Sequence, residues 1–393
     1  MATVQEQMSV LTRGVTKIHS VEELEAKIKS GRPLRVKLGF DPSSPNLHLG
    51  HALILDKIAE FQRFGHTAVI IIGDYTARVG DPTGRSKTRP ALDPAEIDAN
   101  AKTYTNQVFT ILDSTRTEIR YNGEWFDKFS FADVLKLNAQ ITVAQLLERE
   151  DFKKRYTDGQ SITLMEFQYP LMQGYDSVMI RADLELGGND QLFNNLVGRD
   201  LQKVAGQEPQ VVMVLPILVG TDGVQKMSKS LDNAIGIMEP ASEMFGKTMS
   251  ISDDAMREWI ALLAPYYKLP SPLPEHPMEC KKALATAIAA RYWGKDAAQK
   301  AREDFEMKFS KRDLDQAEIP IVAVSESSIW IVKLLQEIGA APSGAEARRL
   351  ISQGAIKINN EKIADPNAQI KIEGNVILQS GKKFFARLET AKF

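Results

Sequence analysis

Five candidate strands, Val36–Phe40, Val69–Gly73, Glu118–Tyr121, Leu184–Gly187 and Val211–Leu215, are separated by stretches long enough for a helical crossover. Between them His51–Phe64, Pro94–Leu112 and Phe131–Arg149 carry helical spacing. Strands joined by such crossovers run parallel, and the βαβ units they form are right-handed. The pattern therefore predicts an α/β fold: a Rossmann-like, doubly wound parallel sheet covered on both faces. In such sheets ligands bind beyond the carboxyl ends of the strands, so polar residues there are the candidates for function.

Beyond about Ala234 the strand signal stops. Ser252–Ala264 and Glu279–Trp293 read as helices, Ala297–Lys308 continues the pattern, and Pro265 ends the first of them. The expected organisation is a catalytic domain over 1–234, an α-helical domain over 235–311, a strand-poor linker over 312–327 and a small α+β domain over 328–393. In that last part Ile331, Leu334, Leu335 and Ile338 form one apolar helical stripe. Ser343 with Glu346 has the spacing of a capping box, and Gly354 can end the second helix. Short alternating runs follow at Ile356–Ile358, Ile370–Ile372 and Val376–Leu378.

Acids and bases nearly cancel over the chain, 51 against 49, which excludes a general polycation. Residues 328–393 nevertheless carry ten Lys/Arg against six Asp/Glu, making them about +4 on a body of −6. Arg348 and Arg349, adjacent on the second helix, and Lys357 just after it mark a small basic module on an acidic body. Cys280 is the single cysteine, so neither an internal disulfide nor a cysteine zinc site is available. The most apolar run, Ala68–Ile72, falls far short of the roughly 20 residues a bilayer needs. The expectation is a cytoplasmic protein with no membrane partner.

The segment Val36–His51 reads VKLGFDPSSPNLHLGH: a strand, a Pro-rich turn, then a helix starting near His48. His48 and His51, three apart, face the same side of the helix start, where free N–H groups and the dipole favour an anion. Gly50 between them lets a planar base approach the backbone. This arrangement suits a triphosphate and adenine, although HxxH spacing by itself also fits simple packing. A metal reading would need further ligands, and no HExxH occurs. Lys226–Ser230 reads KMSKS after Gly220 and Gly223. Two lysines on a Gly-flanked loop can close over phosphates as charge develops, while a solvated basic loop is the plain alternative. Neither GxxxxGK(S/T) nor GxGxxG is present.

Together HLGH and KMSKS resemble the signature pair of class I aminoacyl-tRNA synthetases. Three further stretches narrow the resemblance to the tyrosyl-tRNA synthetase family: GDPTGR at Gly80–Arg85, YPLMQGYD at Tyr169–Asp176 and GGNDQ at Gly187–Gln191. The resemblance implies that Asp81, Tyr169 and Gln173 surround the substrate ammonium, and that Asp176 accepts a hydrogen bond from the phenol. Gln191 would line the tyrosine site. Gly188 and Asp190 would meet the ribose, and Gly39, Asp41, Gly50 and Met227 would complete the nucleotide site with His48, His51, Lys226 and Lys229. A carboxylate such as Asp176 is left unpaired when phenylalanine enters, which costs more than one lost contact.

This chain departs from the family at Lys37, where many members carry tyrosine. A lysine opposite Asp176 either pairs with it or turns away, and the resemblance implies a place for Lys37 in the tyrosine site. Arg85 stands where lysine is common, Leu192 replaces a frequent tryptophan, and many relatives have glycine at the centre of the KMSKS loop. The basic tail resembles a small RNA-binding module found on bacterial tyrosyl enzymes, which implies Arg348, Arg349 and Lys357 as RNA-phosphate contacts. The resemblance as a whole implies L-tyrosine, ATP with Mg²⁺, and tRNA(Tyr) as partners, activation through tyrosyl-adenylate, and a homodimer.

Overall fold

The expected strands form one sheet and acquire a sixth neighbour. In the computed structural model, which describes residues 2–42, 44–82, 94–309, 319–359, 361–372, 376–381 and 384–390, they are β1 (Lys17–His19), β2 (Arg35–Phe40), β3 (Thr67–Ile72), β4 (Thr117–Tyr121), β5 (Leu184–Gly188) and β6 (Val211–Leu215). Their order is β1-β6-β5-β2-β3-β4. All pairings are parallel except that of β1 with β6. The added edge strand is three residues long, too short to show a periodicity in sequence.

β3 explains why both faces are covered. Ala68, Ile70 and Ile72 pack into a core with Leu53, Phe61 and Tyr104. Val69 and Ile71 pack into a separate cluster with Trp125, Phe126 and Met172. Successive side chains on a strand point to opposite faces, so a run of five apolar residues serves two layers at once. The strand order also reverses between β2 and β5: β3 and β4 follow on one side, β6 on the other. That is the switch point where a ligand crevice opens.

Two expectations about helices need correction. Phe131–Arg149 is not one helix but Phe131–Asn138 and Val143–Leu146, followed by Glu150–Thr157. Ser130 and Thr142 each cap a new start, Thr142 accepting from the Gln145 backbone N–H at 3.2 Å while Gln145 returns the contact. Pro94–Leu112 ends at Val108. Residues after Ala234 are helical as expected, and Trp259, Leu263 and Ile288 join the same core as Leu49 and Leu55.

The chain divides into two compact units, Met1–Gly294 and Lys295–Phe393. The second contains β7 (Ile321–Val324), β8 (Ser328–Trp330), β9 (Ile356–Ile358), β10 (Glu361–Lys362), β11 (Gln369–Lys371), β12 (Val376–Ser380) and β13 (Phe384–Thr390). One sheet has the order β10-β9-β12-β13-β7, and β11 pairs with β8. β7 corrects the expectation of a strand-poor stretch there: it lies parallel to β13. The helices Ile331–Glu337 and Gly344–Ser352 bring Ile331, Leu334, Leu335 and Ile351 into the core of this unit. Ser343 caps the second helix through the Glu346 N–H at 3.2 Å. The Glu346 carboxylate does not return the contact expected of a capping box, because it pairs with Arg349 at 2.8 Å.

Candidate active site

A cavity of about 340 Å³ opens beyond the carboxyl ends of β2 and β5. Two groups of side chains line it. The first is built on the HLGH segment. His48 is the N-cap of the Leu49–Arg63 helix, and its backbone N–H donates to His51 Nδ1 at 3.3 Å. Since Nδ1 of His51 accepts, its proton resides on Nε2. The two rings lie 3.8 Å apart. Burial, then the nearby lysine charges, pushes His51 down to about 4. Burial followed by His51 and Lys229 holds His48 well below its usual value. Both are therefore neutral at pH 7 and offer N–H donors rather than cations. Nδ1 of His48 is buried without a hydrogen-bond partner among the described residues.

The KMSKS loop is tied to the same place. His48 bridges Gly236, and Leu49 N–H donates to Ile235 O at 3.0 Å while Ile237 N–H donates to Leu47 O at 3.0 Å. Met227 is buried and its N–H donates to Leu218 O at 2.9 Å, anchoring the loop. A Cβ on Gly50 would come 3.1 Å from the His48 ring and 3.9 Å from Met227, so a side chain there would fit only if the ring gave way by a few tenths of an ångström. The Asn233 side chain accepts from Ser228 N–H at 2.7 Å and donates to Asp222 at 2.8 Å. Lys226 Nζ lies 2.9 Å from Asp190 Oδ2. Lys229 Nζ faces the Asn46 amide at 2.9 Å, which turns the amide oxygen toward the ammonium.

The second group stands on the Leu164–Ile180 helix, where Tyr169, Gln173 and Asp176 share one face. The Tyr169 hydroxyl donates to Asp41 Oδ2 at 2.8 Å, and Thr76 donates to Asp41 Oδ1 at 2.7 Å. Asp41, expected beside the nucleotide, is thus held among the residues expected around the amino acid. Gln191 donates to Asp81 at 2.9 Å, and Asn194 donates to both Gln191 and Gln173 at 3.1 Å. Asp176 is buried and accepts from Trp125 Nε1 at 3.0 Å and from Asn122 Nδ2 at 3.4 Å. Burial pushes its carboxyl up to about 7, against the opposing pull of Lys37. Lys37 itself turns to Glu185, 2.9 Å away.

Gly39 and Gly188 also line the cavity. A Cβ on Gly39 would meet nothing, so the glycine leaves open space there. Arg85 falls outside the described residues. Thr76 and Glu185, which line the cavity, and Asn122, Trp125 and Asn194, which hold its side chains, are among the residues that the sequence does not single out. Asn122 and Trp125 follow the carboxyl end of β4, and the strand-end rule offered a signal for them. In the second unit Arg348 and Arg349 are exposed and Lys357 is half-buried. The Arg348 guanidinium sits 5.5 Å from the Trp330 ring centre.

Residues 29–310 match the family described as tRNA synthetases class I (W and Y), and residues 313–388 match the tyrosine–tRNA ligase SYY-like C-terminal domain. The tyrosine–tRNA ligase of Aquifex aeolicus is 49% identical over 98% of this chain and 99% of its own. The chain belongs to the tyrosine–tRNA ligase family. The Thermotoga maritima ligase is 49% identical over 98% of each chain, and that of Moorella thermoacetica 47% over 98% and 96%. Among solved structures, tyrosyl-tRNA synthetase complexed with L-tyrosine from Archaeoglobus fulgidus matches with a TM-score of 0.62 at 22% identity, over 76% of this chain and all of that one. A C-terminally truncated mitochondrial tyrosyl-tRNA synthetase from Aspergillus nidulans matches with 0.63, also at 22%, over 79% and 95%. At that identity the likeness concerns the fold of the ligase family alone. Among the described residues no helix is long and apolar enough to cross a membrane.

Proposed function

We propose that this tyrosine–tRNA ligase activates L-tyrosine with ATP and transfers the tyrosyl group to the 3′-terminal adenosine of tRNA(Tyr). The observation that carries this reading is Asp176: a buried carboxylate, oriented by Trp125 and Asn122, lining the same cavity as HLGH and KMSKS. The tyrosine carboxylate attacks the α-phosphorus of ATP, the new O–P bond forms as the bond to pyrophosphate breaks, and no side chain becomes covalently bound. Catalysis is then positioning plus charge stabilisation.

The neutral imidazoles of His48 and His51 donate to phosphate oxygens. Lys226 and Lys229 neutralise the departing pyrophosphate. Asp81, Tyr169, Gln173 and Gln191 bind the amino acid, and Gly188 and Asp190 meet the ribose. Asp41 orients Tyr169. Mg²⁺ would enter with ATP as part of the nucleotide substrate, held by phosphate oxygens.

Arg348, Arg349 and Lys357 of the basic second unit contact tRNA phosphates, and the protein acts in the cytoplasm. A homodimer is supported by Phe131, Leu135, Val143 and Leu164, which leave large apolar side chains exposed, Phe131 and Leu164 at 77% and 79%. Pyrophosphate exchange with ATP, run with each amino acid in turn, tests the central claim. Exchange with tyrosine alone supports it; exchange with tryptophan alone replaces it.

A further inference from the structure

Lys37 is fully buried, and its ammonium has three protons with three acceptors around it. They are Gln173 O at 2.7 Å, Ser177 Oγ at 2.7 Å and Glu185 Oε1 at 2.9 Å. All three donors are spent inside the protein. Lys37 is absent from the cavity wall, whereas Gln173, Asp176 and Glu185 are part of it. Glu185, equally buried, also accepts from Gln173 Nε2 at 3.3 Å and from the Ser177 hydroxyl at 3.2 Å. Two strand residues, one on β2 and one on β5, therefore grip the Leu164–Ile180 helix at the positions that bracket Asp176.

We propose that the buried Lys37–Glu185 pair is a positioning clamp that sets tyrosine recognition, holding Gln173 and Asp176 toward the substrate without touching it. The inference rests on the tyrosine-activating reading above. The grip is mechanical first. Gln173 O and Ser177 Oγ lie three residues before and one after Asp176, so the clamp fixes the height and rotation of that carboxylate. It is also electrostatic. The groups around Asp176 are Lys37 on β2, Glu185 on β5, the neutral donors Asn122 and Trp125 after β4, and Tyr169 on its own helix. Lys37 favours the ionised carboxylate and Glu185 opposes it. Replacing one partner therefore biases Asp176 in one direction and replacing the other biases it oppositely.

The test compares the full-length wild type with K37M, E185Q and K37M/E185Q in tyrosine-dependent pyrophosphate exchange across pH, with thermal melting as a fold control. The acid limb of kcat/KM for tyrosine should move to higher pH in K37M and to lower pH in E185Q. The double variant should keep a limb near that of the wild type yet raise the tyrosine KM about tenfold, with kcat and the ATP KM changed less than about threefold. K37M leaves Glu185 buried and unpaired; should it fail to fold, E185Q and the double variant carry the test. A double variant with wild-type tyrosine KM, or an E185Q limb that stays put or moves to higher pH, overturns the clamp. A wild type that exchanges no pyrophosphate with tyrosine overturns the functional reading instead, and the clamp falls with it.

Discussion

Lys226 and Asp190 pair at 2.9 Å, joining the KMSKS loop to the turn that follows β5. Both members are partly exposed, 47% and 26%, so the pair contributes at most ~1 kcal/mol and yields readily to a phosphate or ribose hydroxyl. The pair is therefore no strut of the fold, and the proposed mechanism uses the loop lysines where charge develops. Lys229→Ala should slow adenylate formation by ~10²-fold while tyrosine affinity stays within about twofold. Single-turnover kinetics beside equilibrium tyrosine binding measure both, and an equal loss in the two would remove the transition-state role.

Asp176→Ala should lower the preference for tyrosine over phenylalanine by ~10-fold or more, because the penalty for burying an unpaired acceptor beside a benzene ring disappears. Competing exchange with the two amino acids reads this directly. In the wild type, with the Asp176 carboxyl near 7, kcat/KM for tyrosine should fall as pH drops through that value. The stability effect has the opposite sign. The folded chain holds this proton between about 7 and the ordinary 3.8, so acid in that window favours the folded state through Asp176.

The two histidines give a different signature. With His51 at about 4 and His48 also depressed, neither titrates near 6.5 in the folded protein. The pH profile of kcat should show no imidazole inflection there. Unfolded histidines do take up protons as pH falls below about 6.5, so these two add stability above that value and lose it on the way down to about 4. Replacing His51 with Asn should flatten that part of a pH–stability curve measured by urea unfolding; an unchanged slope would show that His51 is not held neutral.

Gly73 leaves room for the amino-acid side of the cavity. A Cβ there would lie 2.1 Å from Asp41 Oδ1 and 2.3 Å from Thr76 Oγ1. Gly73→Ala should therefore push Asp41 off Tyr169, raise the tyrosine KM about tenfold and cost about 1–3 kcal/mol of stability. Urea denaturation and exchange kinetics together check it. A variant with normal KM and stability would mean that Asp41 is free to shift without consequence.

Much of the frame was legible in the sequence because the relevant information is local. The apolar runs at β2, β3 and β6 and the one-faced spacing of Tyr169, Gln173 and Asp176 are periodicities, and periodicity is set by backbone geometry. β1 escaped because three edge residues carry too little pattern. The break inside Phe131–Arg149 depends on Thr142, whose capping partner Gln145 is close in sequence, so that signal was present and outweighed by helical spacing.

What the chain dictates by itself is a parallel sheet, the helices after Ala234, and a strand end placed before HLGH with KMSKS far downstream. Which side chains meet across that cavity was decided only in three dimensions. Lys37 reaches the Gln173 carbonyl across 136 positions of sequence, and Tyr169 reaches Asp41 across 128. A lysine beside a carboxylate can pair with either Asp176 or Glu185 as far as sequence is concerned. Packing settles the matter, because a buried ammonium must place its three protons on acceptors, and Gln173, Ser177 and Glu185 together supply three.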